Sequence, residues 1–380
     1  MTFHIRQINP ECRDAADWIR VPKIVHHDDP HFVVQPDKQE RQRISKRHNP
    51  YLTIADAAFF IAYRGSNPIG RISAQYDERL RDDEGRVIGQ FGFTDFIEDQ
   101  NVATALVRKA TEWLTAKGAH SMRGPFNLSI NQECGCLIEG FDTAPAIMMP
   151  YARPWTGKML EAAGLQKAMD LFAYRINPHA VPDRLLELAR RDRDAHAIVV
   201  RPIDTRNLKR EFELMGEIFN DGWHDNWGFL KFTKAELDHL AGALKFVMKP
   251  EYGFFVEISG KPVGVMMALP NINELIAPMQ GRLNILRLAT IAWQIHTEKA
   301  KTARVAILGI RKACQRGMIG ATILSSVLEP LITRGRQFGL SWVEFSWVLE
   351  SNRNARAILE TINAHTSAIY RLYSNNNMTA

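Results

Sequence analysis

Between Val305 and Leu324 the chain reads VAILGIRKACQRGMIGATIL: an apolar run, a short basic turn with glycines, then a second apolar stretch. Val305, Ile307, Leu308 and Ile310 read as a buried strand, while Ile323, Leu324, Val327, Leu328 and Leu331 recur as on a helix face. Backbone N–H groups at such a helix start have no intrahelical acceptor, and the aligned peptide dipoles add positive potential there. Gln315, Arg316, Gly317, Met318, Ile319, Gly320 and Ala321 would cradle a pyrophosphate, with Arg311, Lys312 and Arg316 on outer phosphates. The plain alternative is a surface loop with ordinary basic residues before an amphipathic helix.

Side chains able to move protons stand around this stretch. Glu350 directly follows the predicted strand Trp342 to Val348, at a sheet edge of the kind that binds ligands, which makes it the first candidate for a general base. Its other use would be to cap the next helix. His224 lies in DGWHDNWGF between Trp223 and Asp225 and is the second candidate; a solvated loop histidine is the alternative. Tyr370 and Tyr373, on the final strand, are candidate proton donors or plain strand packing. Cys134-x-Cys136 is too close for a zinc knuckle and has no second pair among the four cysteines, so no metal is expected and the thiols read as reduced.

The elements that must position these residues occur twice. Phe59-Phe60 through Pro68-Ile69-Gly70 to Ala74 matches Phe254-Phe255 through Pro262-Val263-Gly264 to Ala268 with one insertion. Each copy reads as a β-hairpin with paired aromatics and a glycine at the same place. In the first half there follow a strand at Gln90 to Phe93, a helix at Asn101 to Ala116, a strand at Ser121 to Gly124, a helix ending at Leu165 and a strand at Met169 to Ile176. The second half repeats the order with the strand at Val305, the helix Ala321 to Arg336, strand Trp342 to Val348, helix Asn354 to Ile362 and strand Ala368 to Tyr373. An α/β fold follows, each half a mixed twisted sheet with helices on both faces. Asn177-Pro178 to Pro182 breaks both regular periods. The expected domains are therefore 1–176, a linker with a charged helix at 177–196, and 197–380.

At 380 residues, 46% hydrophobic and 24% charged, the chain suits two soluble domains. A net charge of +6 is compatible with coenzyme A, nucleic acid or an anionic membrane surface. No zinc-finger spacing, long Lys/Arg run or RNA-binding aromatic signature is present, so no nucleic acid partner is expected. The first residues lack the apolar core of a signal peptide, and the apolar-leaning Leu283 to Ile295 is too short to span a bilayer, which points to the cytoplasm.

The spacing Gln315-x-x-Met318-Ile319-Gly320 resembles the acetyl-CoA loop of the GNAT acyltransferases, with Met318 in place of the first glycine. Across nearly its whole length the chain resembles the tandem GNAT proteins that include the bacterial ceramide synthases. The stretches that carry this are Asp28-Asp29-Pro30, Asn49-Pro50, Gly70-Arg71-Ile72, Gly89 to Phe93, Arg123 to Asn127, Leu308 to Arg311, Ser346 to Asn352 and Tyr370-Arg371-x-Tyr373. The resemblance implies two tandem GNAT domains and acyl transfer from acyl-CoA, a co-substrate rather than a resident cofactor, to an amine. In ceramide synthases that amine is a sphingoid base. It also places Leu308, Gly309 and Ile310 beside the thioester, where a backbone N–H would hold the oxyanion. Asn352-x-x-Ala355-x-x-x-Leu359 keeps the GNAT frame, with Asn352 on the cofactor side, but has leucine where the family has its tyrosine acid. In the first half, Glu98 and Asp99 stand where the phosphates would lie, so only the second half is expected to hold CoA. Relative to a compact GNAT domain the chain inserts Asn271 to Lys301, a strongly apolar helix-like segment flanked by Arg282, Arg287, Lys299 and Lys301. It would cover a domain interface, form an acyl tunnel, or rest on the inner face of an anionic membrane. An acetyltransferase for a small amine or peptide and a non-catalytic CoA-binding scaffold are the competing functions.

Overall fold

A computed structural model describes residues 2–245, 247–376 and 378. The first half runs β1 (His4–Ile8), α1 (Ala15–Val25), α2 (Asp37–Arg43), β2 (Asp56–Arg64), β3 (Asn67–Tyr76), β4 (Ile88–Phe96), α3 (Gln100–Ala116), β5 (Ser121–Gly124), β6 (Phe126–Asn127), β7 (Glu133–Cys134), β8 (Cys136–Glu139), α4 (Thr156–Ala162) and β9 (Gln166–Ile176). The second runs α5 (Asp183–Ala195), β10 (Ile198–Pro202), α6 (Leu208–Trp223), α7 (Lys234–Leu244), β11 (Gly253–Ile258), β12 (Lys261–Pro270), α8 (Asn273–Ile276), α9 (Ile285–His296), β13 (Thr302–Ile310), α10 (Gly317–Gln337), β14 (Trp342–Leu349), α11 (Arg353–Thr361) and β15 (His365–Asn375).

The repeated hairpins are β2–β3 and β11–β12. Ser259 and Gly260 take φ of 50° and 73° between the paired Ile258 and Lys261, the left-handed pair that matches strand twist. The repeated glycine has a packing cause in both copies. A Cβ on Gly70 would lie 3.0 Å from Leu106 of α3, and one on Gly264 would lie 3.0 Å from Ile323 of α10. A missing side chain thus lets the following long helix settle on the sheet. Gly309, opposite Val265 and so on the other face from Gly264, lies against Phe219 of α6. Helices therefore cover both faces, as expected.

The chain divides into two compact units, Met1–Phe172 with Ile276–Leu283 and Ala368–Ala380, and Ala173–Leu275 with Asn284–Ser367. They depart from the sequential division expected at 177–196. β15 crosses into the first unit, where Tyr373, Ser374 and Asn375 pair with Gly124, Arg123 and Met122 of β5. The end of β9 passes into the second, where Arg175 holds Glu344 of β14 at 3.0 Å. Periodicity marks a strand but not the sheet it joins, which is why the exchange was not foreseen.

In the first unit the antiparallel strands β1 to β4 are followed by β5, parallel to β4, and then by β15. Trp18 of α1 packs between Phe59 and Phe93 in its core. In the second unit the order β10-β11-β12-β13 is antiparallel and β14 joins β13 in parallel.

Candidate active site

In the second unit β13 and β14 pair from Thr302 opposite Trp342 to Val305 opposite Phe345, and the ladder stops there. β13 stays on β12 as far as Ile310 opposite Gly264, so beyond Val305 its other edge is parted from β14. Arg311 N donates to Val263 O at 2.8 Å. Antiparallel alternation then turns the N–H and C=O of Leu308 and Ile310 toward the parted side. Both carbonyls are engaged by side chains. Trp223 Nε1 donates to Leu308 O at 2.8 Å, and Gln315 Nε2 donates to Ile310 O at 2.9 Å and to Gly222 O at 2.7 Å. What this edge presents is a pair of amide donors. Trp223 also stands edge-on to Trp347 of β14, with ring centroids 5.8 Å apart, so the two indoles wall the opening.

The expected anion loop leads directly from this edge. Gly317 opens α10 with φ of 66°, and no side chain caps the helix. The left-handed residue thus sits one place before Met318, which is 76% exposed. Gly320 is buried, and a Cβ there would lie 2.4 Å from Gln315 O, so the second glycine of the motif is sterically required. Gly222 serves the same end, since a Cβ would lie 2.2 Å from Ile310 O. The basic residues of the loop differ in their surroundings. Lys312 pairs with Asp225 and donates its N–H to Asp221, and Arg311 lies 3.7 Å from Glu217; Arg316 forms no ion pair among the described residues.

The candidate proton carriers separate. His224 ends α6 in the open, 3.0 Å from Asp225, whose carboxyl is held low by Lys312 and then by His224. Glu350 is half-buried in the turn after β14, and its carbonyl accepts from Arg356 at 3.4 Å. Asn352 uses its side chain to cap α11 by accepting from Ala355 N at 3.1 Å. Tyr370 and Tyr373 fall in the first unit, His224 and Glu350 in the second. Tyr370 is buried against Gly135, and Tyr373 has its hydroxyl against Gly157 and its ionisation opposed by burial. Final strands exchanged between units carry their tyrosines with them.

A further cluster, unforeseen as a site, lies in the first unit. β4 and β5 also part after Gln90 opposite Arg123, and a cavity of about 90 Å³ opens beside the freed end of β4. Asp95 in its wall bonds Arg71 at 2.7 Å and His26 at 3.1 Å. The Arg71 guanidinium and His26 outweigh the cost of burial and hold the Asp95 carboxyl at about 2. Arg43 is shared between Glu133 at 2.6 Å and Glu40 at 3.5 Å. Asn127 accepts from Phe93 N at 2.7 Å and donates to Glu133 at 2.9 Å. Cys136 lines the same wall, and burial pushes its thiol up to about 12, so it is a neutral side chain there. The signal was present in the sequence as charge inside apolar strands, Arg71 in PIGRISA and Asp95 in FGFTDF.

Comparison with solved structures gives this architecture its class. A tandem GNAT protein from the clavulanic acid biosynthesis pathway superposes with a TM-score of 0.58 at 9% identity, covering 98% of each chain. A GCN5-related glucosamine N-acetyltransferase region in a fungal multi-domain β-N-acetylglucosaminidase gives 0.59 at 12%, with 98% of this chain spanning 38% of that one. The fold is a tandem GNAT fold. No family model matches the chain. Among curated proteins it is 34% identical over 358 residues to the bacterial ceramide synthase of Caulobacter vibrioides, covering 94% of this chain and 93% of that protein. It is also 33% identical over 360 residues to protein YghO of Escherichia coli, covering 95% and 92%. The chain belongs to the family of the bacterial ceramide synthase.

Proposed function

We propose that the protein is an acyl-CoA-dependent N-acyltransferase that moves a long acyl chain to the amine of a sphingoid base, as the name of its Caulobacter relative suggests. The observation that carries this is the parted edge of β13, its acceptors engaged by Trp223 and Gln315, leading into the uncapped start of α10. The N–H groups of residues 317–320 and the Arg316 side chain would take the CoA phosphates. Leu308 and Ile310 N–H would face the thioester oxygen. The amine nitrogen attacks the thioester carbon, negative charge collects on that oxygen within reach of the two donors, and the C–S bond breaks to release CoA thiolate. Glu350 is the proposed acceptor of the ammonium proton, and a thiolate, as a good leaving group, makes little demand for an acid.

α9 supports a lipid substrate. Ile291 and Ile295 anchor it, while Ile285, Leu286, Leu288 and Trp293 face outward. We place this face on the surface of an anionic membrane, on the cytoplasmic side, with Arg282, Arg287 and Lys299 near its ends. No helix among the described residues is long and apolar enough to cross one.

Thiol release with palmitoyl-CoA or acetyl-CoA against sphinganine and polyamines tests the reading. Turnover of palmitoyl-CoA with sphinganine is expected, and Glu350→Gln should lower kcat at least about a hundredfold, the low end for a general base. Preference for acetyl-CoA and a small amine, or no turnover with any donor, would replace the proposal with a small-amine acetyltransferase or a scaffold.

A further inference from the structure

Beside the last rung of the β13–β14 ladder, Val305 opposite Phe345, lies a polar network that none of the steps above uses. Its members are Arg304, Glu344, Ser346 and Arg175, all buried and all in the second unit. Arg304 and Glu344 stand opposite each other in the ladder, and alternation along β14 puts Ser346 on the same face as Glu344. Arg304 reaches past the end of the ladder to Ser346. Its Nε donates to Ser346 Oγ at 2.8 Å and its Nη2 to the Ser346 carbonyl at 2.9 Å. Ser346 Oγ in turn donates to Glu344 Oε1 at 2.7 Å, and Arg175 Nε donates to Glu344 Oε2 at 3.0 Å. The Arg175 guanidinium also lies 4.0 Å from the centre of the Trp342 ring, so the linked groups tie β9, β14 and β13 together.

The two strands are parted from both sides. On β13, Ile307 and Val305 face the successive residues Met267 and Ala268 of β12, which leaves Ala306 as an extra residue, a bulge that bends the strand. On β14 the ladder ends at Phe345, and the carbonyl of the next residue is taken by the Arg304 side chain instead of a backbone N–H. A guanidinium thus replaces the next rung and sets how far β14 stands from β13. Trp347 follows directly, and its ring meets Trp223, the indole that bonds Leu308 O. Buried charges are a costly way to fill a core, because apolar residues of like volume often serve as well. What a hydrogen-bonded network adds is one fixed geometry, here at the point where the sheet opens.

We propose that Arg304, Ser346 and Glu344 are positioning residues that set the width of the opening between β13 and β14. Through Trp347 they fix where the Trp223 indole stands against the donors that would face the thioester. The effect on rate rests on the transferase reading above; the effect on the opening does not.

Ser346→Ala in the full chain tests this with two readings. The first is the indole N–H resonance of Trp223 in 15N-labelled protein, assigned by its loss in Trp223→Phe. It reports on the opening because the Trp347 ring stands edge-on to it, with centroids 5.8 Å apart. The resonance should shift in Ser346→Ala. The second is steady-state kinetics: kcat with palmitoyl-CoA and sphinganine should fall about tenfold, as for a lost hydrogen bond to charged groups. KM for palmitoyl-CoA should stay within about twofold, since the proposed phosphate contacts at residues 317–320 are left intact. Ser346→Cys, which keeps the bulk and weakens the bonds, gives the same readings if Ser346→Ala does not fold, as judged by circular dichroism. An unmoved resonance, an unchanged kcat, or a loss confined to KM would overturn the proposal. If the wild-type protein turns over no donor with any amine, the transferase reading falls, and the indole resonance alone then decides whether the network sets the opening.

Discussion

Trp223 holds the parted edge of β13 by one N–H and shares the opening with Trp347, so its bonding and its bulk are separable. Trp223→Phe keeps a ring and loses the donor, freeing Leu308 O. A single hydrogen bond is worth about 0.5–1.5 kcal/mol net, so kcat/KM for palmitoyl-CoA should fall roughly 2- to 10-fold with little change in melting temperature. Unchanged kinetics would mean that this carbonyl plays no part in shaping the edge. In the first unit the buried Arg71–Asp95 pair makes a prediction about stability. Asp95 has a folded pKa of about 2, below the roughly 3.9 of an unfolded aspartate, so its contribution is present above about pH 4 and lost as pH falls through about 2. Arg71→Met removes the partner and leaves a buried carboxylate, a loss of about 3–5 kcal/mol at neutral pH. The stability gap between wild type and variant, followed by urea unfolding, should shrink below pH 4. A gap constant from pH 7 to pH 2 would contradict the assignment.

At the scale of elements the sequence was readable wherever a local rule applied. The paired hairpins and the strand–loop–helix at Val305 to Leu331 follow from spacing and turn chemistry, and both are present. The exchange of β15 was not readable, because its alternation fits either sheet. Nor was the first unit's cavity, whose charges at positions 26, 40, 43, 71, 95 and 133 meet only once α1, α2, β3, β4 and β7 have packed. Glu98 and Asp99 carry the charge that would repel a phosphate, and Asp99 has a structural use besides, capping α3 and pairing with Arg64 at 2.9 Å. α9 was legible as an apolar helix but not its outward face, 78% exposed at Leu286 and 58% at Trp293. Replacing Leu286, Leu288 and Trp293 together by serine should abolish flotation with anionic liposomes and leave the melting temperature nearly unchanged, since these side chains bury little. Flotation equal to wild type would exclude α9 as the contacting face.

At the scale of the molecule, two copies of one sheet-and-helix unit have come to different chemistry at the same place, where two parallel strands part. In the second copy the opening presents backbone donors and an uncapped helix start. In the first it is walled by carboxylates and guanidinium groups, and the phosphate loop is absent.

Amide-resolved hydrogen exchange of the full chain with and without palmitoyl-CoA bears most directly on this account. Protection is predicted at Leu308, Ile310 and residues 317–320, the donors that would face the thioester and the phosphates. Protection that leaves these amides untouched and falls elsewhere, or no protection at saturating ligand, would contradict it.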